Sequence, residues 1–446
     1  MNKLKEYFLW EIAKSQTGPF GSQLHESDYV EFGTPMVTVE HLGIEEFLLE
    51  NLPKVSDEDK ERLSKYVLKE GDIVFSRVGS IDRCTYVSKN EDGWMFSGRC
   101  ICVRANSKVN PRYLNFYFRQ EHFKKMMLNI SVGATMPSLN TKLMDGIKVY
   151  LPDLRTQNNV SYLLSNIDDK IKLNNRINRE LEQMAKLLYD YWFVQFDFPD
   201  ANGKPYKSSG GKMVFNKELI REIPEGWRFC YLKDIVEKTG TGLNPRDNFV
   251  LGEGENYYVT IKNIEQGRII LNEKCDRISD ESLKIIDKRS DLEKGDILFT
   301  SIEPVGTTYL LSEKPKNWNI NESVFMIRPD YNKVTSEFLY MFLSSDYIKA
   351  YTKNASAGSI HKGIRHSTLK ECKVVLPQLK MINSFTNIML PILEKLDKIQ
   401  KENHRLTTLR DWLLPMLMNG QVRVGEVSNK EYQTDEGELS MVTEPK

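Results

Sequence analysis

The chain is an internal duplication. Glu70-Gly71-Asp72-Ile73-Val74-Phe75-Ser76 recurs as Lys294-Gly295-Asp296-Ile297-Leu298-Phe299-Thr300. Upstream, Phe8-Leu9-Trp10-Glu11-Ile12 aligns with Tyr231-Leu232-Lys233-Asp234-Ile235, and Pro35-Met36-Val37-Thr38-Val39 with Tyr257-Tyr258-Val259-Thr260-Ile261. Downstream, Val149-Tyr150-Leu151-Pro152 matches Val374-Val375-Leu376-Pro377. The matches are collinear, and their separation drifts by only a few residues. Such a repeat is far longer than a solenoid unit, so it predicts two whole homologous domains in tandem.

Each half reads as strand and turn first, then helix. Asp72 to Val78 and Tyr86 to Ser88 are β-prone. Arg99 to Arg104 alternates, which puts Cys100 and Cys102 on one face of a strand. Two small buried residues are the plain reading of that pair, since no further metal ligands stand nearby. Helices are predicted over Pro111 to Met127 and over Thr335 to Tyr351. The expected class is α+β, with two tandem α/β recognition-type domains.

After Leu151-Pro152 the pattern becomes a heptad. Val160, Leu164, Ile167, Ile171, Asn174, Asn178, Leu181, Ala185, Leu188 and Trp192 form an apolar seam with two Asn in it. The second half repeats the device with Ile382, Phe385, Met389, Ile392, Leu396, Ile399, Asn403, Leu406, Arg410, Leu413 and Leu417. Asp169-Lys170-Ile171 aligns with Asp397-Lys398-Ile399, and Asn175 with Asn403. Polar seam residues weaken a coiled coil but set its register. At 1.5 Å per residue the first seam spans about 48 Å. The two seams are expected to pair antiparallel within one chain, because the chain supplies both partners at high effective concentration. Dimerisation of each seam with a second copy is the alternative. Pro391 is expected to kink the second helix and Pro415 to disturb its last turn, with Asn419-Gly420 closing it.

The predicted organisation is a first domain over 1–154, a first spacer helix over 155–196, and a linker loop over 197–222. A second domain over 223–377 and a second spacer helix over 378–420 follow, and then an acidic, disordered tail over 421–446. Gly210-Gly211-Lys212 in the linker lacks the upstream glycine and following hydroxyl of a phosphate loop.

Composition excludes several function classes. The 62 Lys+Arg balance the 62 Asp+Glu, which argues against a uniformly basic nucleic-acid coat. The hydrophobic share of 40% is enough for real cores. The six cysteines are scattered with no Cys-x-x-Cys, no signal peptide is visible and no apolar run spans a membrane. A soluble cytoplasmic protein is the expectation. None of the six histidines has metal spacing, and no nucleotide-binding glycine fingerprint or nucleophile elbow is present. The Asp168-Asp169 pair sits on the heptad helix and reads as solvated rather than catalytic.

The layout resembles the specificity subunit of type I restriction–modification systems. The resemblance is carried by Gly133-Ala134-Thr135-Met136-Pro137-Ser138-Leu139-Asn140 running on to Leu151-Pro152, and by Asn174-Asn175-Arg176-Ile177-Asn178. Leu187-Leu188-Tyr189-Asp190-Tyr191-Trp192-Phe193, Ile223-Pro224-Glu225-Gly226-Trp227 and Trp412-Leu413-Leu414-Pro415-Met416-Leu417-Met418-Asn419-Gly420 complete it. The family often has Glu-Gln soon after Leu-Pro, where this chain has Thr156-Gln157 and Lys380-Met381-Ile382. The second copy carries Ser359-Ile360-His361-Lys362-Gly363-Ile364 in place of the Thr-Met-Pro-Ser-Leu-Asn run.

The resemblance implies a non-catalytic subunit that reads double-stranded DNA with a bipartite site, one half per domain. The helices would act as a ruler and dock two methyltransferase subunits, with restriction/translocase subunits joining. No cofactor is implied for this chain, while the family's partner subunits use S-adenosylmethionine, ATP and Mg. Base reading needs polar side chains on groove-entering loops. The candidate readers are Arg77, Ser80, Arg83, Thr135, Ser138, Asn140 and Lys142 in the first domain. In the second they are Arg246, Asn248, Ser301, Ser359, His361, Lys362, Arg365 and His366. Four residues inserted between Leu181 and Ala185 are expected to change the gap between half-sites. The competing readings are a coiled-coil adaptor that binds only proteins, and a stand-alone enzyme.

Overall fold

The computed structural model describes residues 4–44, 46–131, 137–265, 268–356, 363–422 and 424. Thr135, Ser359, His361, Lys362 and the tail from 425 onward lie outside the described residues. The chain divides into two units, 1–172 with 405–446, and 173–404.

In the first unit a four-stranded antiparallel sheet runs Ala13–Thr17, Cys100–Ala105, Asp72–Ser76, Cys84–Tyr86. Cys100 and Cys102 face one core, with Met36, Val37 and Phe96. Ile101 and Val103 face another, with Phe75, Tyr113 and Phe116. The strand is therefore buried on both sides, which is why its sequence is so apolar. A second, smaller sheet includes the parallel pair Thr34–Val37 and Met95–Phe96. The strand Lys5–Phe8 pairs with Lys148–Leu151 and closes the domain.

The second unit repeats this plan. Its main sheet runs Val236–Thr241, Val324–Pro329, Ile297–Thr300, Thr308–Leu310. Asn256–Val259 pairs parallel with Trp318–Ile320, and Arg228–Tyr231 pairs with Lys373–Leu376. The helix Pro111–Phe118 corresponds to Ser336–Leu343, each started by an N-cap side chain, Asn110 and Thr335.

The motif shared most closely by the two halves is scaffolding. Gly71 and Gly295 hold φ of +93° and +91°, a conformation that favours glycine. The next residue, Asp72 or Asp296, accepts the backbone N–H three positions back, from Lys69 or Glu293, each at 2.8 Å. The same carboxylate takes a two-pronged bond from an arginine on the neighbouring strand. Arg104 donates to Asp72 at 2.7 and 2.6 Å, and Arg328 to Asp296 at 2.7 and 2.8 Å.

The first long helix runs Leu154–Tyr189 and passes into a π turn over Asp190–Val194. The expected simple helix to 196 is thus modified. The extra residue in that turn lets adjacent Trp192 and Phe193 both bury against Phe385. The second long helix, Leu379–Met418, runs unbroken through Pro391 and Pro415. Each proline deletes one backbone bond, but the buried neighbours Met389, Ile392, Leu414 and Leu417 hold the helix in place. Gly420 then closes it with φ of +69°.

The helices pair antiparallel. In the first unit Val160 and Leu164 share a core with Leu414 and Leu417, and Asp168 meets Arg410 at 3.0 Å. In the second, Asn174 donates to Asn403 at 2.9 Å, and Ala185 shares a core with Ile392 and Leu396. Of the other predicted seam residues, Ile167, Ile171, Asn178 and Ile399 are buried, while Leu181, Leu188, Leu406 and Leu413 are partly buried. Asp168 is a correction to the solvated reading, being buried and paired with Arg119 and Arg410. The segment read as a linker loop is also folded. Phe198 stacks between Tyr206 and Trp227, and Met213–Asn216 pairs with Arg221–Pro224.

Candidate nucleic-acid interface

Two loop clusters at equivalent ends of the two main sheets carry most of the predicted readers. In the first unit the chain leaves the strand Asp72–Ser76 and turns at Gly79, with φ of +73°. This loop is laced to the segment that precedes the short helix Thr141–Asp145. Gly79 N–H donates to Pro137 O at 3.0 Å, and Leu139 N–H to Arg77 O at 2.9 Å. A bridge between Val78 and Ser138 completes the seam. Segments far apart in sequence thereby present Ser80, Arg83, Asn140 and Lys142 on exposed backbone that is fixed from below. Asn140 also caps the short helix by accepting Leu143 N–H at 2.9 Å.

The second unit uses the same lacing. Ile302 bridges Gly363, and Ile364 N–H donates to Ser301 O at 2.8 Å. Arg365 stands exposed just beyond. A further loop follows the strand Val236–Thr241 and holds exposed Arg246 and Asn248. It is anchored by Tyr258 OH donating to Leu243 O at 2.7 Å and by the edge-to-face contact of Phe249 with Tyr258.

Three predicted readers are engaged inside the fold. Arg77 donates from Nε to Leu139 O at 3.3 Å and from Nη1 to Gly98 O at 3.1 Å, so its guanidinium staples the loops together. Ser301 is buried and donates to Ser323 O at 2.8 Å. His366 packs edge-to-face on Phe325, and burial pushes its pKa below 6.5, with Lys370 adding to the effect. The short-range polarity of these residues suggested projection, and the second strand or loop that captures each one is distant in sequence.

A further loop occupies a matching place in the first unit. The segment after Ala13–Thr17 is the counterpart of the Arg246 loop, and it carries Phe20, 54% exposed, with the Arg77 guanidinium over its ring. The signal lay in the duplication, because Gly18 and Gly242 play the same part. A Cβ on Gly18 would lie 2.2 Å from Ser97 O, and one on Gly242 1.7 Å from Ile320 O. Among the described residues no cluster of His, Cys, Asp and Glu is arranged for a metal, and no helix is long and apolar enough to cross a membrane.

Comparison with known proteins gives a consistent family. A family model described as the type I restriction modification DNA specificity domain matches residues 1–183 and again 224–410. The chain is 24% identical over 412 residues to the type I restriction enzyme HindI specificity subunit of Haemophilus influenzae, covering 80% of this chain and 88% of that one. It is 24% identical over 319 residues to the type I restriction enzyme MjaIX specificity subunit of Methanocaldococcus jannaschii, covering 72% and 71%. The fold is similar to the crystal structure of the type I restriction–modification S subunit from M. genitalium, with a TM-score of 0.61 and 13% identity over 93% and 96% of the two chains.

Proposed function

The chain belongs to the type I restriction–modification DNA specificity family, and from that premise we propose that it reads a two-part duplex target, one half with each domain. The observation that carries this reading is the duplicated lacing. The Val78–Ser138 and Ile302–Gly363 bridges hold two polar loop clusters at equivalent places in two homologous domains. Exposed cations in these loops supply phosphate contacts for register, and the neutral polar groups and arginine forks supply base-edge contacts. Net charge near zero is compatible with this, because the reading loops are a small part of the surface.

Docking is read from the long helices. With Asn175 and Asn403 in equivalent positions, Tyr162 corresponds to Leu390 and Met184 to Trp412. All four are exposed apolar side chains. Tyr162 and Trp412 belong to the first unit, Met184 and Leu390 to the second. Each unit therefore carries one member of each matched pair, which fits two copies of a methyltransferase subunit. Restriction/translocase subunits complete the proposed assembly. The methyl donor, ATP and Mg belong to those partners, and this chain contributes target choice without turnover of its own.

Single-molecule sequencing of adenine methylation, with the gene present and deleted, tests the proposal. A two-part motif that disappears on deletion is expected. Methylation unchanged by deletion sinks it, and so does dependence on a continuous motif. Binding of the assembled complex to that duplex should also weaken steeply as salt rises.

A further inference from the structure

The two reading domains are attached to the helix pair by different chemistry. In the first unit three buried ions join three elements. Asp168 lies on the first long helix and Arg410 on the second, while Arg119 caps the C-terminus of the domain helix Pro111–Phe118. Arg119 Nη1 donates to Asp168 Oδ2 at 2.6 Å, and Arg410 Nη1 donates to Asp168 Oδ1 at 3.0 Å. Arg410 Nε also donates to Asp411 at 2.9 Å. The three side chains are 8%, 4% and 8% exposed for Arg119, Asp168 and Arg410.

The duplication shows what the second unit has instead. Ser344, the C-cap of Ser336–Leu343, takes the place of Arg119. Leu396 takes the place of Asp168 and Glu182 that of Arg410, in the register set by Asn175 and Asn403. No ion triad can form from these residues. All three line a cleft of about 1350 Å³ in that unit. The buried part of the attachment there is aromatic packing of Tyr189, Trp192 and Phe193 with Phe338 and Phe385, while the ion pairs Lys186–Asp346 and Lys401–Glu313 are solvent-exposed.

Buried ion groups contribute little net stability, because their desolvation offsets their attraction. They do demand one geometry, since short charge-assisted bonds tolerate little rotation. An apolar layer holds surfaces together but permits them to slide or repack. We propose that Arg119, Asp168 and Arg410 are positioning residues that fix the angle of the first reading domain on the helix pair, and so help set the number of unread base pairs. This rests on the reading of a two-part DNA target given above.

The test replaces the ions with apolar side chains of similar size, Arg119→Met, Asp168→Leu and Arg410→Met together. Such replacements often leave a protein as stable as before or more so. Cells carrying the parent or the variant gene, with the rest of the system intact, are sequenced for adenine methylation. The parent should methylate one gap length. The variant should methylate targets one base pair longer or shorter to within about tenfold of the original, a range set by the usual cost of one wrong base pair. Both half-site sequences should be unchanged. Purified variant chain that unfolds at the parent's temperature, while cells keep the single gap, overturns the positioning role. Should the triple variant not fold, Asp168→Asn removes the central charge at constant shape and is expected to relax the gap in the same way; an unchanged gap overturns the role equally. A parent whose gene-dependent methylation lacks a two-part motif sinks the functional reading itself, which is a different result from a fixed gap shared by parent and variant.

Discussion

Removing the aspartate of the duplicated glycine–aspartate turn should damage the two domains unequally. Asp296 is fully buried, and its arginine partner Arg328 is only 15% exposed. Asp296→Ala strips both short carboxylate bonds from that guanidinium, leaving it Asp291 O at 2.6 Å and Asp291 Oδ2 at 3.8 Å, and also orphans Glu293 N–H. Removing one partner of a buried ion pair costs about 3–5 kcal/mol. At 1.36 kcal/mol per decade that is about 150- to 5,000-fold in the opening equilibrium. Asp72 is as buried, but its partner Arg104 is 38% exposed and can turn to water. Asp72→Ala should therefore cost less, about 1–3 kcal/mol, the range for an unsatisfied buried group. Amide hydrogen exchange on the full chain reads both effects locally. Protection should fall over Ile297–Thr300 and Val324–Pro329 in the first variant, and to a lesser extent over Asp72–Ser76 and Cys100–Ala105 in the second. The double variant Asp296→Leu with Arg328→Met should recover most of the loss, because no lone charge remains. Equal losses in the two domains, or a double variant no better than the single, would refute this account of the turn.

Other consequences can be measured independently. Arg83→Ala and Arg246→Ala should each reduce methylation by roughly 5- to 150-fold, the usual weight of an arginine contact, and each should relax a different half of the motif; both acting on one half would contradict the assignment of one domain per half-site. Asn178 is buried with neither side-chain polar atom partnered, so Asn178→Leu should stabilise the chain by about 1–2 kcal/mol. Asn174→Leu should do the opposite, since Asn403 and Glu402 lose its amide, and thermal unfolding distinguishes the two signs. His366 has a pKa below 6.5 in the folded state, so the unfolded chain takes up its proton first and stability is lost as pH falls below about 6.5. His366→Phe keeps the contact with Phe325, removes this component and relieves the buried, unbonded Nε2, so its Tm gain over the parent should be present at neutral pH and grow as pH falls below about 6.5.

Much of the architecture was legible because it is periodic. Duplication, strand alternation and heptad spacing are local or repeated patterns, and they need no knowledge of what lies across the core. Gly420 at the end of the second helix was readable for the same reason, since a helix stop is a matter of a few adjacent residues. The packing that offsets the backbone bond missing at Pro391 was not, because it comes from another segment.

The candidate interface divides along the same line. Residue type and loop position by themselves pointed to Arg83, Lys142, Arg246 and Arg365, and these stand exposed. They pointed equally to Arg77, Ser301 and His366, which the fold engages internally. A polar side chain in a loop meets water or a partner according to what the rest of the chain brings beside it. Gly98 is 21 positions from Arg77 and Leu139 is 62 positions from it. Asp168 is the sharpest case. On its helix it is one of two adjacent carboxylates with nothing to mark it as different. Arg119, 49 positions before it, and Arg410, 242 after it, make it the centre of a buried ion triad. The sequence by itself determined two like domains on two long helices. Only the tertiary structure decided which polar groups hold those domains in place and which are left to read, because burial and pairing depend on contacts between segments that no local pattern records.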